Sequence, residues 1–371
     1  MISIDRSVLY MWSSLQKRLL QYSMLVKSLD VIVYSPKGYT SFTIGKNIRV
    51  FPTNSVSKFH FIRDAYQIWK KICTTLDSIS TVLSTQDPFE TWLIGYLLKR
   101  KCWCALNVQI HTDPFSTYFR KESLLNRFRY YFFRYFLIKK VDSIRTVSKR
   151  VKDFIIRNFP IKEVVNIPIF VDIVRKQITP KANKNIFTIL SLSRLEKVKN
   201  IFWLMRVFVE WIKIYPDRRL TIVWTWSEEK NIQKFIIQHK LKDKVVMKPW
   251  TDNVDNEYQQ SDLLVLNSFY EWRGMTAIEA ASNWVPVVMT KTWCAGDFLL
   301  DKVNGLLIHI NDEKQLYAAL VKMYKDLKFR QICIKNGYLQ LKKLPTFEET
   351  LLQYKNSREL ALYHNKASWK N

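Results

Sequence analysis

Asp262-Leu263-Leu264-Val265-Leu266-Asn267-Ser268-Phe269-Tyr270-Glu271-Trp272-Arg273-Gly274-Met275-Thr276-Ala277-Ile278-Glu279 is the stretch whose reading decides the fold. Its first five residues have the length and apolar character of a buried strand, and Asn267-Ser268 is a polar turn. From Gly274 a helical pattern runs to Asn283, after which Val285 to Met289 reads as another strand. Glu271 therefore stands on a loop beyond a strand's carboxyl end, and Glu279 lies about one and a half turns into the helix that Gly274 opens. Unpaired backbone N–H groups at such a helix start attract phosphate, and a carboxylate on either side can accept hydrogen bonds from hydroxyls. A nucleotide sugar presents both kinds of group.

The same strand-then-helix rhythm extends in both directions. In the first half, strands are expected at 1–5, 30–35, 47–51, 80–84, 105–110, 143–147 and 163–167. Helical patterns at 15–29, 59–76, 88–100, 124–140 and 149–159 lie between them. In the second half, strands are expected at 186–191, 219–224, 244–248, 262–266, 285–289 and 305–309. The helices there are 199–214, 228–240, 274–283, 312–326 and 328–343, with one more at 346–362. Alternation at this spacing predicts an α/β protein with parallel sheets covered by helices. No repeat of solenoid length is present. The polar, lysine-rich segment from Val171-Asp172 to Asn185 reads as a linker. Three parts follow: 1–172, 173–345, and a helical tail, 346–371. Ligands bind beyond the carboxyl ends of strands in open parallel sheets, so two facing units would frame a cleft.

Bulk properties agree with two cores. The chain has 371 residues, 48% of them hydrophobic, with 22 Phe, 18 Tyr and 13 Trp, and its length alone suggests about two domains. Five cysteines, Cys73, Cys102, Cys104, Cys294 and Cys333, lack zinc-site spacing, which fits a reducing, cytosolic setting. The amino-terminal residues do not resemble a secretory leader, and no window offers the roughly eighteen apolar residues needed to span a bilayer. A formal net charge of +27 favours polyanions, either nucleic acid or an anionic lipid surface. A compositional bias toward Lys, Ile and Asn accounts for the same charge without any partner.

The strand at 186–191 runs into Ser193-Arg194-Leu195-Glu196-Lys197-Val198-Lys199-Asn200, before the next helix. Arg194 and Lys199 sit on this strand-to-helix loop, where one can grip phosphate oxygens in pairs and the other can supply a point charge. Each alone also reads as an ordinary solvated cation. Together with Leu220-Thr221-Ile222-Val223, Val245 to Trp250, Ser261-Asp262, Asn267-Ser268, Glu271, Gly274, Glu279-Ala280, Pro286-Val287-Val288 and Asn304-Gly305-Leu306-Leu307, this ordered set resembles glycosyltransferase family 4 over roughly residues 186–325. The resemblance implies two facing Rossmann-like domains, the glycosyltransferase B fold. It implies a retaining transfer of sugar from a nucleotide-diphosphate donor, with neither a cofactor nor a metal. Arg194 and Lys199 would neutralise the diphosphate, and the amides near Gly274, Met275 and Thr276 would hold phosphate. Glu279 would hold the ribose hydroxyls, Glu271 would lie against the donor sugar, and Trp250 would flank the base. For Glu279 the plain alternative is a helix-surface charge.

Two departures bear on the donor. Where the family has a glycine-rich turn after the 220–223 strand, this chain has Trp224-Thr225-Trp226-Ser227, two rings that either reshape the pocket or push the loop away. Arg273 stands where the family often has an aromatic residue. In the first half the likeness is looser. His111 occupies the place of a cleft histidine near donor sugar and acceptor, or else is a structural histidine. Asp5, Arg6, Arg18 and Asp113 are acceptor-side candidates. The stretch from Tyr118 to Lys140 interleaves seven cations with nine aromatic rings. It reads equally as a peripheral contact with an anionic membrane surface, on the cytoplasmic face, or as a core helix with solvated cations.

No phosphate loop of the G-x-x-x-x-G-K type, nucleophile elbow or zinc helix is present, and no D-x-D cluster offers a divalent ion a seat. The function expected is transfer of a sugar to a glycan or lipid-linked acceptor in surface polysaccharide or glycoconjugate synthesis. Two rivals stand beside it. One is a basic nucleic-acid-binding protein, for which no binding module is recognised. The other is an inactive glycosyltransferase-like partner subunit whose donor pocket Trp224 and Trp226 obstruct.

Overall fold

The computed structural model describes residues 1–111, 113–161, 163–171, 186–223, 228–249, 251, 253–270, 275–292 and 295–368. The chain forms two compact units, Met1–Phe170 with Pro345–Asn371, and Val171–Leu344.

The first unit is built on an eight-stranded sheet. Its strands are β1 (Ile2–Ser3), β2 (Leu29–Val33), β3 (Phe42–Ile44), β4 (Ile48–Pro52), β5 (Val82–Thr85), β6 (Ala105–Ile110), β7 (Ser143–Thr146) and β8 (Val164–Asn166), in the order β3-β4-β2-β1-β5-β6-β7-β8. All pairings are parallel except β3 with β4, a hairpin at the edge. The hairpin turns at Gly45, whose φ of 60° lies in the left-handed region open to glycine, and a Cβ there would stand 2.9 Å from Leu20 Cδ2. Helices α1 (Ser14–Ser23), α2 (Phe61–Ile72), α3 (Glu90–Cys102), α4 (Thr117–Glu122), α5 (Leu124–Tyr135) and α6 (Lys149–Asn158) join the strands. Ile2, Ile32, Leu106, Val108, Ile110 and Ile144 face Trp69 of α2, Trp92 and Leu98 of α3, Phe133 of α5 and Ile155 of α6 in one continuous core. Val31, Val33, Ile48 and Val50 form a smaller core with Leu15 and Leu19 of α1.

The second unit is a six-stranded, wholly parallel sheet. Its strands are β9 (Phe187–Leu192), β10 (Arg218–Val223), β11 (Val245–Lys248), β12 (Leu263–Leu266), β13 (Val287–Thr290) and β14 (Gly305–Ile308). Helices α7 (Ile201–Ile214), α8 (Glu229–Gln238), α9 (Val254–Gln259), α10 (Met275–Ser282), α11 (Glu313–Lys325) and α12 (Leu327–Leu341) alternate with them. The spatial order β11-β10-β9-β12-β13-β14 is that of a doubly wound dinucleotide-binding sheet, in which the winding reverses between β9 and β12. Helix α7 is apolar almost all round, and Trp203, Leu204, Met205, Phe208 and Trp211 are all fully buried against the sheet.

The tail is one long helix, α13 (Phe347–Ser368), and it belongs to the first unit. It lies over a part of the first sheet whose facing side chains are polar and buried: Asn107, Gln109, Ser143 and Arg145. Buried polar groups must be hydrogen-bonded to be tolerated, and α13 supplies partners. Asn107 donates to Ser357 Oγ at 3.1 Å, Ser143 donates to the Ser357 carbonyl at 3.3 Å, and the Arg145 guanidinium lies 4.2 Å from the Tyr354 ring centroid. Asn365 donates to the carbonyl of Trp103 at 2.7 Å. Short helices α4 and α9 have too few residues to show a helical period, and were not anticipated.

Candidate active site

At the reversal point of the second sheet, the chain leaves β9 and β12 on adjacent loops. The first loop carries Arg194 and Lys199. The Arg194 guanidinium is exposed and pairs with Glu196 at 3.2 Å. Lys199, half-buried, ends a 3-10 turn, and the residue that caps it, Asn200, takes left-handed backbone angles of φ 53° and ψ 36°. That conformation suits Asn better than most residues, because its short side chain tolerates and locally supports it.

The second loop is stitched to the first. Phe269 N–H donates to the Val198 carbonyl at 2.8 Å, and the Asn267 side chain donates to the Asn200 carbonyl. From the other flank, Thr290 Oγ1 donates to the Ser268 carbonyl at 2.7 Å, tying the loop to the end of β13. Asn200 in turn donates through its amide to Asn311 Oδ1 at 2.9 Å, reaching the segment after β14. The cation-bearing loop and the approach to α10 are thus held on one rim by named hydrogen bonds. Asn200, Asn267 and Asn311 were not singled out as site residues from sequence. The Lys199-Asn200 and Asn267-Ser268 pairs hinted at them, but nothing in the sequence predicts that they touch.

Met275 and Thr276 form the first turn of α10 and are half-buried. Glu279 follows one turn later, flanked by buried Ile278 and Ala280. Its Oε2 accepts a hydrogen bond from the Tyr258 hydroxyl at 2.9 Å, and the same hydroxyl stands 3.2 Å from the Thr276 carbonyl. Oε1 accepts no hydrogen bond among the described residues. Burial raises the Glu279 pKa above the ordinary carboxylate value, the Tyr258 bond opposes that rise, and the Asp255 charge adds to it. Tyr258, fully buried on α9, is the functional candidate that sequence reasoning missed. Next to it, buried Glu257 receives both its hydrogen bonds from Lys248 Nζ at the carboxyl end of β11, at 3.0 and 2.8 Å. Glu271, Gly274, Trp250, Trp224 and Trp226 lie outside the described residues.

In the first unit four of the sequence candidates follow the carboxyl ends of strands, Asp5 and Arg6 after β1 and His111 and Asp113 after β6, and Arg18 lies on α1. Asp5 follows β1 and accepts from Ser7 N–H at 3.0 Å and Ser7 Oγ at 2.7 Å, capping a short turn. Arg6 donates through Nε to the Tyr34 carbonyl at 3.1 Å. Arg18, half-buried on α1, has a buried Nε without a hydrogen-bond partner among the described residues. His111 follows β6, with Nε2 3.2 Å from Gln109 Oε1. That oxygen also accepts from Arg145 at 2.7 Å, while the Gln109 amide nitrogen donates to Ser84. The glutamine's orientation is fixed by these neighbours, so His111 Nε2 carries the proton toward it. Asp113 is 8% exposed and accepts from Phe115 N–H at 3.1 Å, with Arg150 3.7 Å away. Burial raises its pKa and Arg150 pulls it down. Both Asp5 and Asp113 are therefore engaged in local turns.

The 118–140 stretch divides. Phe119, Tyr130, Phe133, Leu137 and Ile138 are buried, whereas Leu124, Phe128, Tyr131 and Tyr135 are exposed by 79, 65, 46 and 67%. These four recur at helical spacing along one face of α5. No helix among the described residues is long and apolar enough to cross a membrane.

Residues 173–340 match the family described as Glycosyl transferases group 1. Over 136 residues the chain is 32% identical to a poly(glycerol-phosphate) alpha-glucosyltransferase of Bacillus subtilis, a match that covers 36% of this chain and 20% of that protein's length. It is 22% identical over 364 residues to an uncharacterized glycosyltransferase of Methanocaldococcus jannaschii, covering 89% of each. Among solved structures, sucrose-phosphate synthase from Thermosynechococcus elongatus superposes with a TM-score of 0.78 at 14% identity, over 96% of both chains. Anabaena HepE in complex with UDP and glucose superposes at 0.71 and 13% identity, over 96% of this chain and 97% of that one. The architecture is the glycosyltransferase B fold, with two Rossmann-like units.

Proposed function

We propose that the chain is a retaining glycosyltransferase of family 4, which moves a sugar from a nucleotide-diphosphate donor to a glycan or lipid-linked acceptor. The observation that carries this reading is the lacing of the β9 and β12 loops at the sheet's reversal point. It ties the loop that carries Arg194 and Lys199 to the loop after β12, from which the chain goes on to α10 and the half-buried Glu279. The Anabaena structure, which holds UDP and glucose on the same fold, supports a nucleotide-sugar donor. The Bacillus relative, named for an acceptor of poly(glycerol-phosphate), supports a surface-polymer acceptor.

In this mechanism the nucleoside diphosphate is the leaving group. Arg194, Lys199 and the N–H groups at the start of α10 stabilise the negative charge that develops on it, and oriented groups of this kind are often the largest catalytic term. Glu279 Oε1 accepts from the ribose hydroxyls. Glu271 stands against the donor sugar and Trp250 beside the base. A leaving phosphate oxygen takes the acceptor's proton on the same face, so the anomeric configuration is kept and no metal cofactor is needed. His111, with Arg6, Arg18, Asp5 and Asp113, borders the acceptor. The charge of +27 and the exposed face of α5, flanked by exposed Lys121, Arg127, Lys139 and Lys140, fit a peripheral seat on an anionic membrane, on its cytoplasmic side.

The test is a thermal-shift screen of the full chain with UDP-, GDP- and ADP-sugars, since a ligand that binds the native state raises its melting temperature. One sugar nucleotide is expected to stabilise the protein, and Glu279→Ala is expected to weaken that effect. Stabilisation by none of them would refute the reading and favour an inactive subunit. Salt-dependent binding of DNA in its place would favour the nucleic-acid alternative.

A further inference from the structure

We propose that Tyr258 is a positioning residue for donor binding: its hydroxyl fixes Glu279 so that only Oε1 is offered to the ligand, and anchors the first turn of α10 beside it. The proposal rests on the reading of Glu279 as the group that takes the ribose. Three observations support it. The ring is fully buried, so the hydroxyl has one fixed position. From there it reaches Glu279 Oε2 at 2.9 Å and the Thr276 carbonyl at 3.2 Å, which are parts of the carboxylate and of the phosphate-facing helix start. Tyr258 comes from α9, a separate helix, so the bond joins two elements that ligand binding needs in register. A long glutamate side chain otherwise samples several rotamers, and freezing it beforehand removes an entropic cost from binding.

Among the described residues, two titratable groups act on Glu279: Tyr258, whose hydrogen bond favours the carboxylate, and Asp255 on the same helix, which disfavours it. Asp255 is itself held by the Asn283 side chain at 2.9 Å. Removing the hydroxyl should therefore do two things that loss of packing alone would not. It should weaken nucleotide binding through Glu279. It should also move the acid limb of binding, where the carboxylate is lost to protonation, to higher pH.

The experiment titrates the full chain with UDP, GDP and ADP by calorimetry as a function of pH, and follows whichever binds. Tyr258→Phe, which keeps the ring, is expected to weaken binding about three- to tenfold, the equivalent of one hydrogen bond, and to shift the acid limb upward. In a Glu279→Gln background the same change should add little. Asp255→Asn, which keeps the tyrosine, should shift the limb downward and so identify it as that of Glu279. Unchanged affinity in Tyr258→Phe, effects that add fully in the double variant, or a limb that neither variant moves would overturn the proposal while leaving the glycosyltransferase reading intact. Absence of nucleotide binding by the unmodified chain would overturn both.

Discussion

Replacing Asn200 separates two contributions that the structure superimposes at one residue. Asn200 has φ 53°, and its side chain donates to Asn311 at 2.9 Å in an exposed setting. Its carbonyl accepts from the Asn267 side chain and from Trp203 N–H, bonds that survive any substitution leaving the backbone in place. Asn200→Gly loses the exposed hydrogen bond, worth about 0.5–1 kcal/mol, but glycine takes the left-handed conformation without a Cβ penalty. These effects offset, and the net change is near zero. Asn200→Ala loses the same bond and keeps a Cβ where left-handed geometry costs about 1–2 kcal/mol. Alanine should therefore be less stable than glycine by about 1 kcal/mol, or roughly 2–4 °C in the melting of a unit of this size. Nucleotide affinity should fall further in the alanine variant, because Lys199 directly precedes the strained residue. Differential scanning calorimetry and nucleotide titration of both variants check this. An alanine variant as stable as the glycine variant, or more so, would refute the reading that the loop requires a left-handed backbone at Asn200.

Other expectations follow from the same geometry. Arg194→Ala with Lys199→Ala removes both side-chain cations from the proposed diphosphate site, and sugar transfer should fall by at least about a hundredfold; a radiolabelled-donor assay at full activity would remove the assignment. Burial raises the Asp87 carboxyl to about 6. The folded state then holds a proton that the unfolded state has already released, so stability is greatest below the ordinary value and falls as pH rises toward 6. Asp87→Asn should flatten that slope, which amounts to something on the order of 3 kcal/mol, and urea melts at several pH values measure it. Leu124→Glu with Phe128→Glu should abolish co-sedimentation with anionic vesicles while shifting stability by no more than about 0.5 kcal/mol, since both side chains are exposed. Retained co-sedimentation would assign that face another role.

Much of the architecture was legible because buried parallel strands are apolar runs with helices between them. Strand expectations at 105–110 and 305–309 fall on Ala105–Ile110 and Gly305–Ile308, and the helix expected at 199–214 is Ile201–Ile214. What escaped was short or depended on contacts. Phe42–Ile44 has too few residues to show a period and is recruited as a strand by pairing with Ile48–Val50. Helix α1 stops at Ser23 although its apolar pattern runs on to Leu29, because the Asn47 side chain bonds the carbonyls of Ser23 and Val26 and turns the chain. Of the candidate site residues, Arg194 and Lys199 were legible as charges on a strand-to-helix connection and Glu279 as a charge within a helix. Tyr258 was not, because its partner lies on another helix, and periodicity carries no information about which hydroxyl meets which carboxylate.

Helix α13 makes the first unit discontinuous, since its polypeptide is interrupted at Phe170 and resumes only at Pro345. During synthesis, Asn107, Ser143 and Arg145 must wait for Ser357 and Tyr354 to leave the ribosome, with the whole of Val171–Leu344 already made. The earlier-encoded unit is therefore completed only after all of the later-encoded one has been made. Released chains that end at residue 344 should accordingly present a protease with a resistant second unit and a digestible first one.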